Sequence, residues 1–158
     1  PGLMRRRPRD ANAPIIDRSL GIRLGALAFV MATLALVIVA WGEDRYDLVT
    51  ATTMGLTTLS LMHIIGALEV REPSATIFSR STLANRRFMQ FIGVSLVLTF
   101  LVTAIGPLQR IFDTVALTTS QWGICLLGPL VYLAIAELVK LVDRRGARDE
   151  PALAAAEA

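Results

Sequence analysis

The stretch LGALAFVMATLALVIVAWG, residues 24–42, carries no charged side chain anywhere along its length. A helix rising about 1.5 Å per residue needs roughly 20 such residues to cross ~30 Å of hydrocarbon, so this stretch has the length and composition of a membrane span. Three further apolar runs follow at 48–70, 88–108 and 122–142. The chain has 158 residues, 54% of them hydrophobic, and a soluble domain rarely strings its apolar residues into four separate runs of this kind. The sequence therefore reads as all-α and integral to the membrane, with four transmembrane helices. Residues 1–19 read as a cytosolic linker, 20–145 as the four-helix transmembrane domain and 146–158 as a disordered tail.

The basic residues divide unevenly between the gaps. Arg5, Arg6, Arg7, Arg9, Arg18 and Arg23 precede or open the first span, Arg71, Arg80, Arg86 and Arg87 lie between the second and third, and Lys140, Arg144, Arg145 and Arg148 close the last. Only Arg45 and Arg110 fall in the two remaining loops. The positive-inside rule then places both termini and the middle loop in the cytoplasm. Trp41 and Trp122 fall at the opposite ends of their spans, where an interfacial aromatic belt is expected, and this agrees with the charge count independently.

The formal net charge is +3, but the arginines flank spans instead of interleaving with aromatics on a soluble face. The partner they imply is the lipid bilayer and its anionic headgroups, and no nucleic acid. The lone Cys125 lies inside the fourth span and can form no intrachain disulfide. No cleavable signal is visible, because the first apolar run is long enough to span and lacks a small-residue cleavage site. The sequence opens at Pro1 on a stretch rich in Pro and Arg, and reads as a piece of something longer.

Within the spans, Gly21 and Gly25 stand four apart and are followed by Ala28 and Ala32, the small-xxx-small pattern that lets membrane helices approach closely. They are the candidate helix-packing residues. The second span is the polar one, with Thr50, Thr52, Thr53, Thr57, Thr58, Ser60 and His63. Its hydroxyls can return hydrogen bonds to their own helix, so most need no further role. An imidazole deep in a bilayer is costly unless it faces a polar interior. With Ser60 three residues before it and Gly66 three after, His63 is expected on a small, polar face, which makes His63 and Ser60 candidates for lining an ion or proton path.

Glu137 and Lys140, three apart near the end of the fourth span, are expected to form an interfacial ion pair. Glu69 and Glu72, at the mouth of the second span, are expected to be solvated. Gly106-Pro107 should end the third helix, with Phe112 and Leu117 anchoring the excursion that follows, and Gly128-Pro129 should kink the fourth. No His, Cys or carboxylate set has metal-ligand spacing, and the chain holds no GxxxxGK[ST], HExxH or GxSxG motif. No catalytic residue and no cofactor is expected in this chain.

Several segments in order resemble the C-terminal transmembrane region of P-type cation-transporting ATPases, in the calcium-pump-like branch. Pro107-Leu108, Ile111-Phe112, Ala116-Leu117, Gln121-Trp122 and Glu137 with Lys140 are similar to that family's final outer loop and last helix. Met54-Gly55-Leu56 through Gly66-Ala67-Leu68 resembles its eighth helix, and Pro1 to Asp10 its cytosolic loop before the seventh. The resemblance covers almost the whole chain.

It implies the seventh-to-tenth helix support bundle of a pump that exports Ca²⁺ or a related cation. The phosphorylated aspartate, the sites for Mg²⁺ and ATP and most ion ligands would lie elsewhere in the protein. The partners it implies are the lipid bilayer, the remaining helices and cytosolic domains of the same pump and the transported cation, in a multi-pass protein of the bacterial inner membrane. One ion-site position, where the family usually has a glutamate on its eighth helix, falls on His63, and Gly21 and Gly25 would receive the long fifth helix. Two other readings stay open from the residues: a non-transporting four-helix scaffold or accessory subunit, and a small proton-coupled multidrug exporter, although that class keeps an acid in its first span and this first span has none.

Overall fold

The computed structural model describes the backbone of residues 18–71 and 85–156 and the side chains of 21–69 and 85–142. Five helices make up the described chain: α1 Arg18–Glu43, α2 Leu48–Arg71, α3 Arg86–Ala104, α4 Gly106–Phe112 and α5 Thr119–Ala156, with no strand among the described residues. Four are long and apolar enough to cross a membrane, over Gly21–Glu43, Leu48–Glu69, Arg86–Ala104 and Thr119–Val142. The all-α, four-span expectation therefore holds. The early linker through residue 17, Glu72 and the middle loop lie outside the described residues.

Each helix start has a local cause. At α2, the Asp47 carboxylate accepts hydrogen bonds from Thr50 N (3.1 Å) and Thr50 Oγ1 (2.7 Å), which satisfies a donor of the first turn. The Thr50 hydroxyl, and then its backbone N–H, hold the Asp47 carboxyl below the usual carboxylate range. At α3, Asn85 Oδ1 accepts from Phe88 N at 3.0 Å.

The third span ends at Ala104, four residues before the sequence reading closes it. Ile105 is extended (φ −107°, ψ 118°), and Pro107 stands in the first turn of α4, where its missing N–H is no loss. Asp113 ends α4 in the left-handed region (φ 52°, ψ 49°), which Asp tolerates better than most residues. The last helix continues through residue 156, beyond the membrane stretch and through the residues assigned to a tail.

Helix α2 is the centre of the bundle. It packs antiparallel to α1, with Gly42 against Ala51 and Val39 against Gly55. It runs parallel to α5, because contacts rise together along both helices: Met54 with Cys125, Thr58 with Gly128 and Glu69 with Lys140. Leu27 of α1, Met62 of α2 and Tyr132 and Ala136 of α5 form the shared buried cluster.

Four glycines allow this closeness. A Cβ on Gly55 would fall 2.3 Å from Val39 Cγ2, on Gly66 2.7 Å from Met31 Cε, on Gly128 2.4 Å from Thr58 Cγ2, and on Gly42 3.0 Å from Ala51 Cβ. Gly25, by contrast, has nothing within 4 Å of that position, and Gly21 and Gly25 are both exposed. The small-xxx-small pair therefore packs no helix among the described residues; the seam is made by glycines that share no sequence spacing.

The segment after α3 is tied by polar contacts. Gln109 Nε2 donates to Thr103 O (2.6 Å), Thr114 Oγ1 to Val102 O (2.7 Å), and Val115 N to Thr53 Oγ1 (3.2 Å). Thr118 donates from N and Oγ1 to the buried Gln121 Oε1 at 2.7 and 3.0 Å. The expected anchor Phe112 is largely exposed and only lines a crevice, while Leu117 is half-buried.

Candidate functional site

Two features of α2 bear on function: the stripe it leaves open and the charge it buries. Thr52, Leu56, His63 and Ala67 fall on one face by helical spacing, and all four are exposed. His63 Nδ1 lies 2.8 Å from Leu59 O. A carbonyl oxygen only accepts, so Nδ1 is the donor of this hydrogen bond.

Ser60, four residues from Leu56 and seven from Ala67, borders that face, and Gly66 turns away from it. Ser60 lines a crevice of about 220 Å³ with Leu56, Thr57, Leu98, Thr99 and Thr103, between α2 and α3. Gly66 is buried against Met31 and the Tyr132 hydroxyl. Of the expected small polar face, His63 and Ser60 thus lie about 60° apart on adjoining sides of α2, and Gly66 is taken up by the packed seam.

The threonines behave as their type suggests. Thr52 Oγ1 donates to Leu48 O (2.9 Å) and Thr53 Oγ1 to Val49 O (2.7 Å), and Thr53 also accepts from Val115 N, so it fastens α2 to the segment before α5. On α1, the exposed Gly21, Gly25, Ala28 and Ala32 form a stripe on the side away from the core residues Leu27, Val30 and Leu34.

The charged site corrects the sequence reading. Lys140 Nζ lies 3.5 Å from Glu137 Oε1, as the spacing suggests, but its nearer partner is Glu69 Oε2 of α2, at 2.5 Å. Glu69 is 4% exposed and Lys140 1%. Glu69 is therefore buried and paired, where solvation was expected. The register of α5 against α2 brings a cation to a span-edge acid that sequence alone leaves in water. Tyr132 and Arg23 lie near enough to act electrostatically on the same end of the seam. Among the described residues no three His, Cys, Asp or Glu side chains are grouped to hold a metal ion.

The chain belongs to the family described as cation transporting ATPase, C-terminus, which it matches over residues 1–142. It is 30% identical over 122 residues to a calcium-transporting ATPase of Bacillus subtilis (strain 168), covering 76% of this chain and 14% of that protein. It is 31% identical over 144 residues to calcium-transporting ATPase 1 of Schizosaccharomyces pombe, covering 90% and 16%. With the human calcium-transporting ATPase type 2C member 1 it shares 27% over 145 residues, again 90% and 16%. The chain thus spans about one seventh of the length of these relatives, as a C-terminal membrane domain of the calcium-pump-like P-type class.

Proposed function

We propose that the chain is the membrane support bundle, the seventh to tenth helices, of an ATP-driven pump that exports Ca²⁺ or a related cation across a bacterial inner membrane. The phosphorylated aspartate and the sites for ATP and Mg²⁺ belong to other parts of that pump. Both termini and the segment between α2 and α3 face the cytosol, following the division of the basic residues. One observation carries the reading: two stripes, Gly21–Gly25–Ala28–Ala32 on α1 and Thr52–Leu56–His63–Ala67 on α2, are open although all of their residues but Leu56 are small or polar, and such surfaces suit another helix better than lipid. The fifth helix of the pump covers the first, and the ion-binding core borders the second.

His63 then occupies the one ion-site position in this chain. Its Nε2 is a poor ligand for Ca²⁺, which prefers oxygen, so the pump moves one ion per cycle, and the imidazole titrates during counter-transport. Ion and proton fluxes per ATP in the reconstituted full-length protein test this. His63→Ala should leave ion stoichiometry at one and flatten the pH profile; an unchanged profile removes the role.

A further inference from the structure

A proline inside a membrane helix leaves one carbonyl without its usual donor. In α5 the proline is Pro129, which is buried, and the carbonyl belongs to Cys125, four residues earlier. Facing it on α2, Thr58 is fully buried, and its hydroxyl, beside the Cys125 sulfur, has no partner at full hydrogen-bond geometry among the described residues.

Contacts on both sides place the two groups together. The Thr58 methyl rests on Gly128, where an added Cβ would come within 2.4 Å of it. One turn earlier on each helix, the Cys125 thiol reaches the Met54 carbonyl at 3.5 Å. That carbonyl is the acceptor to which a threonine at position 58 would ordinarily return its proton. A hydroxyl with a weak acceptor, the Cys125 sulfur, thus lies across the seam from a carbonyl whose helical donor the proline removes, at a depth where bulk water cannot repair either.

We propose that Thr58 and the Cys125 carbonyl hold one buried water molecule at the α2–α5 seam. The hydroxyl donates to this water, which donates in turn to the carbonyl, with the Cys125 sulfur beside it as a weak third partner. Freed carbonyls at membrane prolines are commonly satisfied by hydroxyl side chains or ordered water, and here the two act in series. The seam therefore binds a solvent molecule at its middle.

X-ray hydroxyl-radical footprinting of the full-length protein in nanodiscs tests the site, because radicals born from a bound water oxidise the nearest sulfur. Cys125 should be oxidised in the wild type and several-fold more slowly in both Thr58→Val and Pro129→Ala, which remove the donor and pair the carbonyl respectively. Met62, whose sulfur lies beside Gly128 at the same place, should fall with it, and Met31, against Gly66, should not change. Equal Cys125 rates in all three proteins, or a fall in only one variant, would overturn the proposal. If Met62 oxidation rises in Thr58→Val, that variant has opened and Thr58→Ser replaces it: keeping the hydroxyl, it should keep the wild-type rate, and a loss there contradicts the site.

Discussion

The second and third spans are similar in length and both apolar enough to cross a membrane, yet 44% of the one is buried inside the domain against 11% of the other. In α3 only Thr103 is buried, and Phe91, Val94, Val97 and Phe100 all face outward. In α2 the buried residues include Thr53, Thr57, Thr58 and Glu69. In a membrane the usual relation inverts. The polar helix goes inside, where the Thr53 hydroxyl and the Glu69 carboxylate find partners, and the apolar one meets the hydrocarbon at no cost. Hydrophobicity therefore marks which segments span, and polarity marks which of them is central.

The strongest way to break this contrast is at the buried pair. Lys140→Met leaves Glu69 unpaired between α2 and α5 and should cost about 3–5 kcal/mol, read as a large fall in thermal midpoint in detergent. Adding Glu69→Gln to it should recover most of the loss, since two neutral groups need no counter-charge.

Next come the seam glycines. Gly128→Leu or Gly55→Leu forces side chains into space already filled and should cost about 1–3 kcal/mol or more, whereas Gly93→Leu on α3, with nothing within 4 Å of its Cβ position, should leave the midpoint in place. A smaller effect is expected for Val97→Ala, which removes an outward methyl pair and should stay within about 0.5 kcal/mol.

The smallest effect sharpens the contrast at the loop. The Asp47 carboxyl is held low by Thr50, so its contribution is full at neutral pH and is lost only as pH falls through that lowered value. Asp47→Asn should reduce the acid-side slope of stability slightly and change nothing near pH 7.

The spans were legible because apolar run length needs no tertiary context; the caps Asp47 and Asn85, which set the starts at Leu48 and Arg86, were not read from it. The pairing of Glu69 was not legible. Two acids at one span edge look alike in sequence, and whether one is buried depends on the register of a helix some seventy residues later, which brings Lys140 to it. The seam glycines were hidden for a similar reason: Gly42, Gly55, Gly66 and Gly128 share no local spacing, because each answers a residue on another helix, Ala51, Val39, Met31 and Thr58 respectively. Gly21 and Gly25 do show a local pattern, and it concerns a surface that this chain leaves open.

That open surface gives the most direct test of the pump reading. In a Cys125→Ala background, Gly25→Cys should react readily with a maleimide in the 158-residue chain alone and be strongly protected in the full-length protein, while Phe91→Cys on α3 should react alike in both. Equal reactivity of Gly25→Cys in the two settings would mean that no helix covers the stripe, and would contradict the account.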